Sequence, residues 1–242
     1  MKKNILIFIP AYNVEKELLS VIKRIPKKIF ENNKVKILII NDCSLDHTSK
    51  IINKIKKKFS YSFIIHNSKK NLGYGGVQKF ALNYSIKKRF DFAIMLHGDG
   101  QYRPESLPQF INAYKDKSND AVFGSRMISY SSALKGGMPF YKFLGNIFLT
   151  FVQNLILGSN MSEFHSGYRS YKVSALKKIN FKNKSNYYHF DTEMIIAFLK
   201  KKLKILEISQ PTFYGNEVSH LKSIPYGLNV LWVTIKSKFD RK

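Results

Sequence analysis

Short apolar runs of strand length alternate with segments of helical periodicity along the first half of the chain. In the helical segments, apolar residues recur at helical spacing, as Leu18, Ile22 and Ile25 do. This repeated alternation predicts an α/β fold in which a mostly parallel sheet is flanked by helices. The predicted strands are residues 4–9, 35–40, 62–65, 92–96 and 121–123, with a later one at 205–208.

The fourth apolar run ends abruptly in a stretch of glycines and polar residues. Asp99 and Gln101 offer hard oxygen ligands to a divalent cation, and on an extended turn their side chains point the same way. Gly98 lets the backbone approach a ligand closely. Because ligands of open α/β sheets bind outside the carboxyl ends of the strands, this stretch predicts a ligand site. The alternative is a polar turn that caps a helix beginning near Pro104.

Polar residues also follow the first two predicted strands, at the same rim of the sheet. The segment Pro10-Ala11-Tyr12-Asn13 offers an aromatic face and backbone carbonyls to a flat base. The carboxylate of Asp42 suits hydrogen bonding to the edge of a base or ribose. Together with a cation site, these groups match a nucleoside diphosphate, since a divalent ion neutralises the charge that grows as a diphosphate leaves.

Two common phosphate-binding signatures are absent from the sequence. There is no glycine-rich loop with a phosphate-binding lysine, and no GxGxxG pattern follows the first strand. These absences argue against an ATPase and against a nicotinamide enzyme. A tight loop before a helix accounts for the glycines between Gly73 and Gly76.

The formal net charge is +25, and most of the excess comes from lysine. Nucleic acid, an anionic membrane surface and phosphorylated substrates are all compatible with this charge. No helix-turn-helix, zinc-finger or RNP motif occurs, so a basic nucleic-acid-binding module is a distant alternative and we expect no nucleic-acid partner. Cys43 is the only cysteine, which excludes a disulfide framework and a cysteine-based zinc site.

The second half of the chain is richer in large apolar residues. Residues 138–158 are too polar for a confident membrane span, and they predict either a buried helix pair or an interfacial amphipathic helix. The segment 226–239 is also amphipathic and ends in lysines. We therefore divide the chain into a main domain, residues 1–220, and an amphipathic tail, residues 221–242.

Several motifs in a fixed order resemble those of the family-2 glycosyltransferases with the GT-A fold, in the dolichol-phosphate mannosyltransferase-like branch. The similarity covers about residues 3–220. It implies an inverting transfer from a nucleotide-activated sugar with Mg²⁺ or Mn²⁺. The motifs are Pro10-Ala11-Tyr12-Asn13, residues 41–48, Asn71-Leu72-Gly73, Gly98-Asp99-Gly100-Gln101 through Glu105, Gly124-Ser125-Arg126 and Ser166-Gly167-Tyr168-Arg169.

The resemblance also implies roles for individual residues. Asp99 would be the central catalytic ligand of the metal, with Gln101 beside it, and Arg126 would bind the phosphate of a polyprenyl-phosphate acceptor. The nucleotide would meet the first three motifs and the glycine next to Asp99, namely Pro10, Ala11, Tyr12, Asn13, Asp42, Gly73 and Gly98.

The chain departs from the family pattern at several positions. His97 stands where the first aspartate of Asp-x-Asp is usual, so we count it among the metal ligands; imidazole suits Mn²⁺ better than Mg²⁺. Val14 replaces a common glutamate. Lys142 stands about where another family arginine would be, and residues 213–220 lack an arginine that relatives often carry there.

The acceptor decides the mechanism. A polyprenyl phosphate is already anionic and needs no base, and Arg126, Lys142 and Arg169 would orient it. A glycan hydroxyl needs a general base, for which Asp191 is the best candidate. Asp191 has the alternative of a helix N-terminal carboxylate, and Arg169 that of an ion-pair partner of Glu163 or Glu193.

We expect the enzyme to act in the cytoplasm, peripherally at the inner face of the membrane. The apolar run before Pro10 is too short for a signal peptide. The basic surface, residues 138–158 and the tail all suit attachment to anionic lipid.

Overall fold

The computed structural model describes residues 2–211 and 223–239. Its centre is one seven-stranded sheet with the strand order β3-β2-β1-β4-β6-β5-β7. The strands are β1 (Asn4–Ala11), β2 (Lys34–Asn41), β3 (Phe63–Asn67), β4 (Phe92–Met95), β5 (Ala121–Ser125), β6 (Arg169–Lys172) and β7 (Ile205–Ser209).

All strands run in one direction except β6, which pairs antiparallel with β4 on one side and with β5 on the other. The predicted α/β fold with a mostly parallel sheet is thus confirmed. The sequence did not predict β6 as a strand, because the stretch Arg169-Ser170-Tyr171-Lys172 is short and polar. Its reversed direction has a consequence for the site: the start of β6 lies at the rim where β4 and β5 end.

Helices cover both faces of the sheet, and the alternation of β1 side chains divides the core between them. Leu6 and Phe8 belong to the apolar cluster under α4, α8 and α9. Ile5, Ile7 and Ile9 belong to the cluster under α1, α2, α3 and α5. The helices are α1 (Leu18–Lys23), α2 (Lys28–Asn32), α3 (Thr48–Lys58), α4 (Tyr74–Lys87), α5 (Leu107–Ala113), α6 (Tyr130–Lys135), α7 (Phe140–Leu157), α8 (Val173–Leu176), α9 (Phe190–Lys200) and α10 (Ser223–Phe239).

The predicted boundaries differ from the observed ones by a few residues at most. β1 continues to Ala11, which pairs with Asn41 at the end of β2. The helix predicted from Glu105 begins as a 3₁₀ turn, Pro104–Ser106, and continues as α5.

Residues 138–158 contain one long helix, so the buried helix pair is wrong. The helix is α7, and most of its large apolar side chains are exposed. α10 packs against α7 and α9, so the described part of the tail contacts the main domain. The predicted boundary at 220/221 falls in 212–222, outside the described residues.

Candidate active site

A cleft of about 1000 Å³ opens at the carboxyl ends of β1, β2 and β4. The strand ends supply its floor, while α7, α10 and the start of α9 contribute walls. Most of the predicted site residues line it. These are Pro10, Ala11, Tyr12, Asn13, Asp42, Gly73, His97, Gly98, Asp99, Gln101, Arg126, Lys142 and Asp191.

Asp42 ties the end of β2 to the loop before α4. The Oδ1 atom accepts a hydrogen bond from the backbone N–H of Leu72 at 2.8 Å, and Oδ2 accepts one from the N–H of Gly73 at 3.1 Å. Gly73 has a φ of +76°, and an added Cβ there would lie 2.8 Å from the carbonyl oxygen of Asn186. Asp42 and Gly73 therefore act together in shaping this wall of the cleft.

The segment after β1 presents different groups from residue to residue. Ala11 is fully buried, and its carbonyl accepts a hydrogen bond from the Asp42 N–H at 2.9 Å. Asn13 is exposed and also lines the cleft, and its Oδ1 accepts from the N–H of Leu45 at 2.8 Å. Tyr12 is 39% exposed at the cleft, so its ring is the accessible aromatic face of the segment. Val14 is buried in the core, where the family's common glutamate would be costly.

The metal candidates His97 and Asp99 lie side by side. His97 Nε2 is 3.1 Å from the carbonyl oxygen of Gly167, and because a carbonyl can only accept, Nε2 is the donor. In the neutral imidazole with this tautomer, Nδ1 carries the lone pair that a metal would bind. Nδ1 is 4.0 Å from Oδ2 of Asp99, whose other oxygen accepts from the N–H of Gln101 at 3.1 Å. A ligating histidine commonly donates its second nitrogen to a backbone carbonyl in this way.

This donor set fits a divalent cation held mainly by its substrate. Within residues 2–211 and 223–239, no cluster of three or more His, Cys, Asp or Glu side chains is arranged to hold a metal. His97 and Asp99, with Gln101 nearby, would leave positions for phosphate oxygens, as Mg²⁺ and Mn²⁺ sites of phosphate-transfer enzymes do. Gly98, buried between them, packs on the Pro10 carbonyl.

Arg126 directly follows β5 and lines the cleft, where a buried carboxylate holds it. Its backbone N–H donates to Oε2 of Glu163 at 2.7 Å, and its Nε and Nη2 donate to Oε1. Asn146 of α7 also donates to Oε1, at 2.8 Å. Burial would raise the pKa of Glu163, but the charge and hydrogen bonds of Arg126 outweigh it and hold that pKa below its usual range.

Arg169 lies beneath the cleft, and it is not among the residues that line it. Its side chain is 1% exposed and donates to the carbonyls of Ser166 and Phe164, at 2.9 and 2.8 Å. Burial would lower the pKa of Arg169, but the charge of Asp191 raises it above its usual value. The predicted contact with an acceptor is therefore wrong for Arg169. Its predicted alternative, an ion pair, occurs with Asp191 instead of Glu163 or Glu193.

Asp191 lies in the first turn of α9 and reaches the cleft wall, but its carboxylate is already engaged. Oδ2 accepts from the hydroxyl of Tyr74 at 2.7 Å and lies 3.4 Å from Nε of Arg169. Oδ1 accepts from Nε2 of Gln78 at 2.9 Å. Burial and the charge of Asp191 raise the pKa of Tyr74 well above its usual value. The Tyr74 hydroxyl therefore stays protonated and acts as the hydrogen-bond donor to Asp191.

Several aromatic residues of the site were not predicted. Tyr102 accepts a hydrogen bond from the N–H of Gly167 at 2.7 Å, and Tyr188 stacks on Tyr74 with ring centroids 5.0 Å apart. Tyr226 of α10 is hydrogen-bonded to Nδ1 of His165 at 2.9 Å. Tyr102 stands one residue after the metal motif, and that adjacency is the only signal the sequence offers.

The sheet order and the rim cleft define a GT-A fold, and comparisons with known proteins identify the family. The model of glycosyl transferase family 2 matches residues 6–180. The chain therefore belongs to that family and is a glycosyltransferase.

Curated relatives cover most of the chain. A UDP-N-acetylglucosamine–dolichyl-phosphate N-acetylglucosaminyltransferase of Methanococcus voltae is 29% identical over 88% of this chain and 86% of its own. An undecaprenyl-phosphate mannosyltransferase of Micrococcus luteus is 24% identical over 90% of this chain and 86% of its own.

Solved structures confirm the fold. Glucosyl-3-phosphoglycerate synthase from Mycobacterium tuberculosis, in complex with uridine diphosphate, matches with a TM-score of 0.72. It is 13% identical and the match covers 99% of this chain and 82% of that one. Other structures of that enzyme contain Mn²⁺ or Mg²⁺ together with uridine diphosphate. At this identity the likeness concerns the fold alone.

Proposed function

We propose that this enzyme inverts configuration while moving a sugar from a nucleotide-diphosphate donor to a polyprenyl phosphate, with a divalent cation, at the cytoplasmic face of a membrane. Two relatives are named for transfer to dolichyl phosphate or undecaprenyl phosphate. One observation carries the proposal: a single cleft is lined both by the His97–Asp99 pair and by Arg126. A donor diphosphate and an acceptor phosphate thus each have a partner in one cavity.

The donor nucleoside would occupy the end of the cleft formed by β1 and β2. The exposed ring of Tyr12 suits stacking on a base, and Asp42 suits hydrogen bonding to the base or ribose. Pro10, Ala11 and Gly98 would contribute backbone, because Ala11 and Gly98 are buried. Solved structures of the same fold contain uridine diphosphate, which makes a UDP-sugar the first donor to test.

The cation would be Mg²⁺ or Mn²⁺, held by Asp99 and by Nδ1 of His97, with Gln101 nearby. When bound, it would neutralise the negative charge that develops on the departing diphosphate. The chain's own contribution is to fix the two ligands. Gly167 holds the His97 ring through Nε2, and the Gln101 N–H holds the Asp99 carboxylate.

The acceptor phosphate would meet Arg126 and Lys142. Glu163 fixes the Arg126 guanidinium in a preorganised position, and Lys142 reaches the cleft from α7. Charge-assisted hydrogen bonds from the two side chains would orient a phosphate oxygen towards the anomeric carbon, on the face opposite the diphosphate. Attack from that face inverts the configuration.

A phosphate acceptor agrees with the state of Asp191. That carboxylate accepts two side-chain hydrogen bonds and pairs with Arg169, so both of its oxygens already have partners. A general base must take up a proton on one of its oxygens, and the existing partners compete with that step. An anionic phosphate does not require it.

The second candidate keeps the donor but uses a glycan hydroxyl, as in surface polysaccharide or lipopolysaccharide synthesis. The observation that favours it is that Asp191 does line the cleft. A low-salt glycan biosynthesis hexosyltransferase of Haloferax volcanii is 28% identical over 78% of this chain. We set aside a nucleic-acid-binding module, because the chain is a glycosyltransferase.

Parallel acceptor assays test the proposal. The enzyme would receive UDP-sugars and, separately, a short-chain isoprenyl phosphate, the matching isoprenol and an oligosaccharide. We expect a glycosylated product from the phosphate alone. Transfer to the oligosaccharide without transfer to the phosphate would establish the second candidate.

The Arg126→Lys variant tests in this assay whether Arg126 binds the acceptor phosphate. Lysine keeps the charge but loses the two-pronged geometry, so we expect kcat/KM for the phosphate acceptor to fall about tenfold to a hundredfold. Nucleotide affinity should stay unchanged. The matched control is Arg24→Lys, which alters a partly exposed arginine–glutamate pair with Glu105. An equal loss of kcat/KM in both variants would contradict the assignment of Arg126 to the acceptor site.

A further inference from the structure

Two neighbouring helices bury polar side chains and expose apolar ones, which reverses the usual arrangement of a helix in a water-soluble domain. α7 buries Asn146, Thr150 and Gln153. α10 buries Thr234 and Ser237. The buried polar groups bond to one another or to the domain, as in the 3.3 Å hydrogen bond from Gln153 Nε2 to Thr234 Oγ1.

The exposed apolar side chains form a stripe on each helix, with members three or four residues apart. The two helices are in contact, since the side chain of Leu149 comes 3.6 Å from where a Cβ on Gly227 would be. Members of the stripes are between 46% and 79% exposed. They are Phe140, Leu144, Phe148, Phe151 and Leu155 on α7, and Ile224, Leu228, Trp232, Ile235 and Phe239 on α10.

Ten large exposed apolar residues on adjacent helices exceed what a soluble monomer normally leaves in water, and such patches mark interaction surfaces. The charges on these helices identify the partner. The only charged residues of α7 and α10 are Lys142, Lys236 and Lys238. Lys142 lines the cleft, so the charges beside the apolar face are Lys236 and Lys238 in the last turn of α10. These lysines complement an anionic bilayer, whereas a second copy would bring like charges together.

The surface suits a helix that lies on a membrane better than one that crosses it. In the described part of the chain, α7 alone is long and apolar enough to span a bilayer, by length and composition. However, Lys142, Gly145 and Asn146 of α7 line the cleft. That side of the helix belongs to the protein and cannot face lipid.

We propose that the exposed faces of α7 and α10 together form the surface by which this enzyme docks on an anionic lipid bilayer. The inference rests on the proposed function and deepens it, because the same two helices also form cleft walls. Lys142 reaches the cleft from α7, and Tyr226 reaches it from α10. An acceptor phosphate can enter beside this surface while its isoprenoid chain stays in the bilayer.

The docking helices are also linked to the acceptor arginine. Asn146 of α7 donates to Glu163, which holds Arg126. Tyr226 of α10 is bonded to His165, whose carbonyl accepts from Nη2 of Arg126 at 3.2 Å. Two short hydrogen-bonded paths therefore connect the docking helices to Arg126.

The chain carries its own reporter for the test, since Trp232 is its single tryptophan and lies in the α10 stripe. Wild-type enzyme would be mixed with vesicles of phosphatidylcholine and phosphatidylglycerol. We expect a blue shift of Trp232 emission, quenching by brominated acyl chains, and much weaker binding to phosphatidylcholine alone. An unshifted and unquenched spectrum would overturn the proposal.

The decisive variant is the pair Phe148→Glu and Phe151→Glu on α7, which leaves the reporter in place. We expect at least about a tenfold loss of vesicle affinity, from the lost burial of two phenylalanines. Lys56→Glu on α3 changes the net charge by the same two units and should bind vesicles nearly as wild type does. Equal losses of vesicle affinity in the Phe148/Phe151 variant and in Lys56→Glu would mean that net charge alone governs binding. That result would overturn the assigned surface.

Two further measurements keep the docking proposal separate from the proposed function. Without vesicles, the Phe148/Phe151 variant should glycosylate a water-soluble short-chain isoprenyl phosphate at the wild-type rate. Vesicle binding by an enzyme that glycosylates no phosphate would defeat the proposed function and leave the docking surface standing. A stable dimer without lipid, in which Trp232 emission is already blue-shifted, would show a second copy as the occupant and overturn the bilayer.

Discussion

His97 stands where the family usually has an aspartate, and its two ring nitrogens have different surroundings. Nε2 is occupied by the Gly167 carbonyl, and Nδ1 faces Asp99. A side chain does not fit at Gly167, because an added Cβ would lie 2.8 Å from Nε2 of His97. The protein thus fixes the tautomer that a metal needs.

Replacing His97 by aspartate should change which metal supports activity. Imidazole suits Mn²⁺ better than Mg²⁺, so we expect the wild type to prefer Mn²⁺. His97→Asp restores a second carboxylate and should raise the Mg²⁺ rate relative to the Mn²⁺ rate by about tenfold. The measurement is the transfer rate of chelator-stripped enzyme across a titration of each ion.

Gln101→Glu serves as the control, since it adds a carboxylate nearby without altering the imidazole. An unchanged ratio of Mg²⁺ to Mn²⁺ rates in His97→Asp would exclude His97 as a ligand. Asp99→Asn should lose activity with both ions in either case.

At the scale of elements, one residue of the site is bonded directly to α10. His165 is hydrogen-bonded to Tyr226 of α10, and burial lowers the pKa of His165 to about 4. Glu163 works in the opposite direction and the neighbouring arginines in the same one, but burial is the largest cause. The imidazole is therefore neutral at pH 7, and no titration of it occurs in the physiological range.

This depressed pKa predicts a loss of stability in acid. The unfolded histidine titrates near 6.5, so the unfolded chain binds the extra proton first as the pH falls. The stabilisation is fully present above about pH 6.5 and is lost towards pH 4, amounting to about 2 kcal/mol between pH 7 and pH 5. Denaturant unfolding at the two pH values measures it.

His165→Gln removes the titrating group, so its free energy of unfolding should change less between pH 7 and pH 5 than that of the wild type. His47→Gln is a suitable control, because the side chain of His47 is exposed. A wild-type profile that is flat between the two pH values would contradict the assignment.

At the scale of the whole molecule, nucleotide binding should stabilise the fold. The cleft joins loops from β1, β2 and β4 with α7, α9 and α10, so a ligand that fills it binds the folded state alone. With UDP and Mn²⁺ at a hundred times their Kd, we expect about 2.7 kcal/mol of added stability and a rise in Tm of roughly 5–10 °C.

The measurement is a thermal-shift panel of UDP, GDP, CDP and TDP, each with and without Mn²⁺. Asp99→Asn should lose the metal-dependent part of the shift and keep the rest. A nucleotide other than UDP giving the largest shift would reassign the donor base, and no shift with any nucleotide would contradict the proposed donor site.

The predicted membrane contact rests on the net charge of +25 and on the composition of residues 138–158 and 226–239. Composition could not distinguish a buried helix pair in 138–158 from an exposed helix. The choice depends on which residues of α7 face the domain, and these are Phe143 and the polar residues Asn146, Thr150 and Gln153.

The amino-acid sequence by itself determined the alternation of strands and helices as far as β5 and the positions of the rim motifs. Apolar periodicity is local, and it marks each buried strand and helix face; the polar residues that follow β1, β2 and β4 must lie at one edge of a parallel sheet. Tyr12, Asp42, His97 and Asp99 were found in this way.

Only the tertiary structure decided what each charged side chain contacts. Arg169 and Asp191 are 22 residues apart in sequence. They pair because β6 runs opposite to β4 and β5 and therefore begins, with Arg169, at the rim where α9 also begins. The antiparallel pairing of β6 has no local signature, and burial of the Arg169 cation depends on partners from separate segments, such as Phe164, Phe123 and Asp191. Charge pairing is a long-range property of the packed chain, whereas periodicity is a property of each segment.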